Sequence, residues 1–171
     1  MRGLSVVSEL RLAVEVPHWA GRFYLRHWAV VVGLSLVASV QRLVVVNWGD
    51  VVPSGVAFAS EVVVVAARVL LVVVIWRLAT RGERLRWANA RDFATRHWPS
   101  LVWQGVLLAA ATAVFDFGAE QVVGGLLPES ARQTYLAVLL FVKNPTVIAF
   151  TFVWLVGLVR QVAVSRPVPV G

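Results

Sequence analysis

The sequence predicts an all-α integral membrane protein: four transmembrane helices as two tandem two-span repeats, led in by short interfacial amphipathic helices. Three observations carry this. The residues are 59% hydrophobic and only 15% charged, against about 45–50% and about 25% in a soluble domain. Four apolar stretches approach the ~20 residues that a helix needs to cross a ~30 Å hydrocarbon core. Finally, the pattern Phe-x-x-Arg-His-Trp occurs at 23–28 and again at 93–98, each time just before a long apolar run.

The first span is bracketed by Trp28 and Trp48, as aromatic side chains bracket a helix at the two membrane interfaces. The second is expected at about 56–76, the third at about 99–117 and the fourth at about 131–158. Ahead of the first span, Trp19, Arg22, Phe23 and Arg26 recur three or four residues apart, which suits an amphipathic helix lying in the interface. Leu85, Phe93 and Arg96 repeat that arrangement, and Pro17 and Asn89 are expected to keep both helices short or bent. No uninterrupted apolar core leads to a small-residue cleavage site near the start, so a cleaved signal peptide is not expected.

The repeat extends past the motif. At an offset of 70, Ser35 and Ser39 match Gly105 and Ala109, small residues four apart, and Ala113 continues the stripe. At an offset of 75, "GDVVPS" (49–54) matches "GGLLPE" (124–129), and Arg68 falls on Lys143. Two units follow, at about 8–78 and 79–160, with a flexible cytoplasmic tail over 161–171. Two-span units point the same way and can be related by an axis along the membrane normal. The small-residue stripes would then let the first and third spans approach closely.

Charge sets the expected orientation. Arg2, Arg11, Arg22 and Arg26 precede the first span, Arg77, Arg81, Arg84, Arg86, Arg91 and Arg96 separate the second from the third, and Arg160 and Arg166 follow the fourth. The other side holds Arg132 alone. Twelve against one places both termini and the middle loop in the cytoplasm. Fifteen of the sixteen basic residues are Arg and Val is abundant, which suits a GC-rich genome and a bacterial cytoplasmic membrane. With basic residues flanking spans, the net charge of +7 addresses the lipid bilayer and its anionic lipids rather than nucleic acid. In each motif copy, Arg26, His27 and Trp28, or Arg96, His97 and Trp98, are placed to meet headgroups.

Several charges fall inside the spans. Arg42 and Glu61 lie at similar depth from the outer side and are expected to pair. Arg68 and Lys143 lie near the middle of their spans at equivalent repeat positions, and Pro145 breaks the helix just after Lys143. With only Glu61 and Asp116 to oppose three bases, at least one base lacks an internal partner. Two readings stand: snorkelling or pairing with a carboxylate of another subunit, and binding an anionic ligand. Asp116 and Glu120 are expected in solvent at the outer end of the third span, Asp116 within reach of Arg132.

The chain has no cysteine, which excludes disulfides, thiolate metal sites and cysteine nucleophiles. It also lacks a Gly-rich phosphate loop, an HExxH motif and a nucleophile elbow. No metal or cofactor is expected; a haem between His27 and His97 is disfavoured by their position between Arg and Trp. The leading expectation is a non-enzymatic accessory or assembly subunit of a larger bacterial membrane complex, with a membrane-protein partner or a second copy. The alternative is a transporter or binding protein for an anionic lipid or lipid-linked carrier. The orientation has a direct test: Ser54→Cys should react with an impermeant thiol reagent in intact cells and Thr80→Cys only after permeabilisation, whereas the reverse pattern overturns it.

Overall fold

Six helices and little else make up the fold in the computed structural model, which describes residues 6–83 and 85–164. The expected tail from 165 onward, with Arg166, and also Arg2 and Arg84 lie outside the described residues. We number the helices α1 (Val6–Arg26), α2 (Trp28–Trp48), α3 (Ser54–Ala79), α4 (Ala88–Arg96), α5 (Trp98–Leu126) and α6 (Glu129–Ala163). A 3-10 turn, Gly49–Val51, extends α2. Among the described residues the only β-type pairing is one isolated bridge between Leu85 and Val164.

Four of these helices, α2 with its 3-10 extension, α3, α5 and α6, are long and apolar enough to cross a membrane. A multi-pass membrane protein is consistent with that. Apart from Glu61 and Arg68, α3 is uncharged from Val56 to Trp76 with no separate polar face, as expected where lipid rather than water surrounds a helix. α1 is different. Its buried residues are Glu9, Ala13, Val16, Ala20 and Phe23, a three-four spacing that forms one stripe.

α1 is 21 residues long and runs through Pro17, so it is not the short segment that the proline suggested. Pro17 has no N–H to give to the carbonyl of Ala13. Packing of the stripe against α5 and α6 holds the helix together across that gap.

α6 is the axis of the bundle. Its first half packs on α2, and its second half packs on α1, α3 and α4. α2 and α3 form an antiparallel hairpin. The main core lies at the end where α1 turns into α2: Val16, Ala20, Phe23, Val31, Leu71, Ile75, Ala79, Ala149, Val153, Trp154 and Val156. Burial of such side chains contributes about 1.5–3 kcal/mol each in water; between helices in lipid, close packing replaces that term. α5 is peripheral. It packs on α1 and, near the opposite end, on the start of α6.

The two copies of Phe-x-x-Arg-His-Trp fold into the same corner. His27 has φ −116° and ψ 23°, and His97 has φ −118° and ψ 26°. In both, the histidine N–H donates to the phenylalanine carbonyl four residues back and the two rings are in contact, with centroids 4.6 Å apart in the first corner and 5.0 Å in the second. The packing around the corners departs from two-fold symmetry. α2 packs on α6, and the symmetric counterpart would be α5 on α3, but α5 packs on α1 instead. The long α1, for which the nine-residue α4 is no equivalent, occupies the surface that symmetry would give to another span.

α1 and α6 meet where α6 has no side chain. A Cβ on Gly157 would lie 2.6 Å from the Trp19 ring and 3.1 Å from Val16. We therefore expect Gly157→Ala to destabilise the protein by about 1–3 kcal/mol, as overpacking does, visible as a lowered melting temperature in detergent; an unchanged melting temperature would disprove the close approach.

Candidate functional site

Where α6 crosses the middle of the bundle its backbone changes. Glu129–Lys143 is α-helical, Asn144–Ile148 is π-helical and Ala149–Ala163 is α-helical again. Pro145 is the cause, because it cannot donate to the carbonyl of Phe141. Side chains make up the loss. Ser39 Oγ, from α2, donates to the Phe141 carbonyl at 2.7 Å. Asn144 Nδ2 donates to Leu140 O at 2.9 Å and Thr146 Oγ1 to Val142 O at 2.7 Å. Tyr24, from α1, donates its hydroxyl to Pro145 O at 2.6 Å; burial pushes its phenol up from the usual value, which keeps it a donor. Unsatisfied backbone groups are costly in lipid, so α1 and α2 are pinned to this break.

Lys143 is buried and pairs with both Asp116 and Glu120 of α5. This corrects two expectations. Asp116 and Glu120 are not at the outer end of the third span, because α5 continues to Leu126, and Asp116 pairs with Lys143 rather than Arg132. Both carboxylates lie in a π-helical segment, Ala113–Val123, whose Ala119 carbonyl accepts a 2.9 Å bond from Tyr135 of α6. π-Helical insertions are uncommon and cluster at functional sites.

Arg42 and Glu61 come together as expected, at 3.9 Å. Glu61 also accepts a 2.8 Å bond from Gln41 Nε2, a contribution of Gln41 that charge counting missed. Arg68 is the exception among the inner cations. Its Nη2 donates to Asn144 Oδ1 at 3.4 Å, and among the described residues its buried Nε has no partner and no carboxylate forms an ion pair with it. Three inner acids, Glu61, Asp116 and Glu120, equal the three inner bases in number, but they are unevenly placed. Two acids share Lys143, and among the described residues none pairs with Arg68.

A cleft of about 330 Å³ opens in this region, lined by Arg42, Arg68, Glu120, Leu140, Lys143, Asn144 and Ile148. That is the lower end of the ~300–1,000 Å³ typical of small-molecule sites. Glu120 on its wall shares the single charge of Lys143 with Asp116, and Arg68, Arg42 and the Asn144 amide complete the polar lining.

The remaining expected residues have other placements. Ser35 and Ser39 are buried, with Ser39 against α6 rather than α5. Gly105, Ala109 and Ala113 are exposed, and a Cβ on Gly105 would meet nothing within 4 Å. The expected approach of the first and third spans along these stripes is therefore not what packs the bundle. Arg26, Trp28, Arg96 and Trp98 are exposed at the end of the bundle that carries both corners. His97 Nδ1 lies 3.0 Å from buried Glu9 of α1, next to a polar relay in which Gln104 donates to Gln161 at 3.0 Å and Gln161 to Leu12 O at 3.2 Å. Single polar residues scattered in apolar runs were the only sequence signal for that relay. Among the described residues no three His, Asp or Glu side chains gather in a way that would hold a metal ion.

Fold and site together define an all-helical bundle with a polar centre, whose four long apolar helices are consistent with a multi-pass membrane protein. Comparison with protein-family models, with curated proteins and with solved structures finds no match to this chain.

The pairing of Lys143 gives a clear expectation. Lys143→Met leaves Asp116 and Glu120 without their shared cation and should destabilise the protein, by less than the about 3–5 kcal/mol of a fully buried pair because the Asp116 side chain is half exposed. Adding Asp116→Asn and Glu120→Gln should restore much of that stability in a thermal unfolding assay. No restoration would mean that the three residues do not act as a unit.

Proposed function

We propose that the protein is a non-enzymatic binder or transporter of an amphiphile with an anionic headgroup, an anionic lipid or lipid-linked carrier, held in the central cleft. One observation carries this reading: Arg68 sits mid-helix in the wall of a cleft of about 330 Å³ with, among the described residues, only the neutral Asn144 as a hydrogen-bond partner. A guanidinium inside a membrane is costly unless paired, and a phosphate or carboxylate matches its fork of donors. Arg42, tied to Glu61 only at 3.9 Å, is the second donor. The π-helical segments on both walls favour a site that adjusts around its ligand.

The subunit reading loses part of its support, since Lys143 is paired within the chain by Asp116 and Glu120, which leaves Arg68 as the inner base that invites a partner. A different observation keeps it as the second reading. α5 is the least buried of the four long helices, and its small residues Gly105, Ala109 and Ala113 form an uncovered stripe of the kind that packs against another membrane helix. The same reading places the chain in a bacterial cytoplasmic membrane with both termini inside, on the strength of the Arg distribution. The matching corners at His27 and His97 support descent of both halves from one two-span unit, later made unequal by the lengthening of α1.

Native mass spectrometry of the protein extracted from its own membranes tests this. We expect phospholipid or carrier lipid bound to the wild type, lost in Arg68→Ala and partly kept in Arg68→Lys. An Arg68→Ala variant with the wild-type lipid complement would overturn the ligand reading, and a stoichiometric second protein in its place would install the subunit reading.

A further inference from the structure

A second basic cleft lies away from the central one, at the end of the bundle where α1 turns into α2. It measures about 350 Å³ and is lined by Trp19, Arg22, Phe23, Arg26, His27, Leu78, Ala79 and Arg160. It differs from the centre in how its charges are used. Arg160 is satisfied: it pairs with Glu83, donates through Nε to the Ala79 carbonyl at 3.1 Å, and lies 5.3 Å over the Trp19 ring. In that position it also covers the carbonyl end of α3, the negative pole of the helix. Arg22 and Arg26 form no ion pair or side-chain hydrogen bond among the described residues, and both are exposed.

The wall between Arg160 and Arg22 is built rather than incidental. Trp19 is held in place by the absence of a side chain at Gly157 and by Phe23, whose ring centroid is 5.1 Å away. Arg22 and Arg26 are one turn apart on α1, so their side chains leave the same face. His27, held by the corner geometry with its ring against Phe23, adds a third donor or acceptor at the rim.

We propose that this cleft binds a dianionic phosphate, a terminal phosphate monoester or diphosphate, in preference to the singly charged phosphodiester of ordinary phospholipids. The charge balance supports the choice. Arg22 and Arg26 supply two positive charges that form no ion pair among the described residues, Glu15 lines only the neighbouring cleft, and a phosphate monoester carries about −1.5 to −2 near neutral pH. Two arginines one turn apart can each present a fork to the same phosphate. Basic pockets between helices at a membrane surface are suited to such headgroups. This inference is independent of the central cleft, since no residue is shared between the two.

The test uses the full chain in nanodiscs doped with either a phosphate-monoester lipid or a phosphodiester lipid at matched total charge. Retained lipid is counted by native mass spectrometry. We expect roughly tenfold stronger retention of the monoester lipid, about one bidentate contact's worth of affinity, and its loss in Arg22→Gln/Arg26→Gln. Arg91→Gln, an exposed arginine of α4 outside the cleft, should leave the preference intact. Excess inorganic phosphate separates the sources: displacement of the lipid makes free phosphate a sufficient ligand, and no displacement makes the lipid-borne group the ligand. Equal retention of the two lipids, or a preference that survives Arg22→Gln/Arg26→Gln with helicity unchanged, would overturn the proposal. Because Arg68→Ala leaves this cleft intact, failure here and failure at the centre are read separately.

Discussion

Polar groups inside an apolar phase have to be satisfied from within the chain, and here that requirement converges on Lys143, Asn144 and Pro145. Pro145 breaks the hydrogen-bond ladder of α6, and the freed Phe141 carbonyl draws in Ser39 of α2. The shifted backbone offers the Pro145 carbonyl to Tyr24 of α1. Asn144 reaches Arg68 of α3, and Lys143 collects Asp116 and Glu120 of α5. One broken turn thus engages every other long helix. Dispersion between Val-rich helices is weak in directional preference, so these polar contacts give the bundle its register.

The rest of the architecture follows from where α6 can make its second set of contacts. Beyond the break it carries Ala149, Val153, Val156 and Gly157, small enough for α1 to lie against it. Gly157 admits Trp19, and Trp19 carries Arg160 on its face. Docking of α1 in turn displaces α5 to the edge, where the Gln104–Gln161 bond and the His97–Glu9 contact tie it to the bundle. A central cleft and a basic cleft therefore stand at two levels of one helix, the first shaped by a helix break and the second by a missing side chain. Each holds at least one arginine that pairs with no carboxylate among the described residues, Arg68 in the first and Arg22 and Arg26 in the second, which is why both are proposed as sites for anions.

Several features were legible in the sequence because they depend on local chemistry. Apolar runs bounded by Trp gave the four long helices to within a few residues at most ends. The repeated Phe-x-x-Arg-His-Trp gave two corners of equal backbone conformation, since the residues that form each corner are all within it. Matching depth gave the Arg42–Glu61 pair. Asp116 and Glu120 were misjudged because a carboxylate near the end of an apolar run looks solvated when its partner, Lys143, is 27 and 23 residues away in sequence. The small-residue stripes were misassigned for a related reason. A stripe specifies that something can approach closely, and Ser39 found the broken turn of α6 while Gly105 and Ala109 found nothing.

What the sequence determined by itself is the set of helices, their apolar character and the corners that start two of them, because hydrogen bonding within a helix and transfer of its side chains to an apolar phase are decided residue by residue. What only the tertiary structure decided is which helix faces which. Pairing of Lys143 with two acids, the isolation of Arg68 and the uncovered face of α5 depend on how α1 and α6 pack. That packing rests on a few close approaches, at Gly157 and at the Phe141 carbonyl, whose partners are more than a hundred residues distant along the chain.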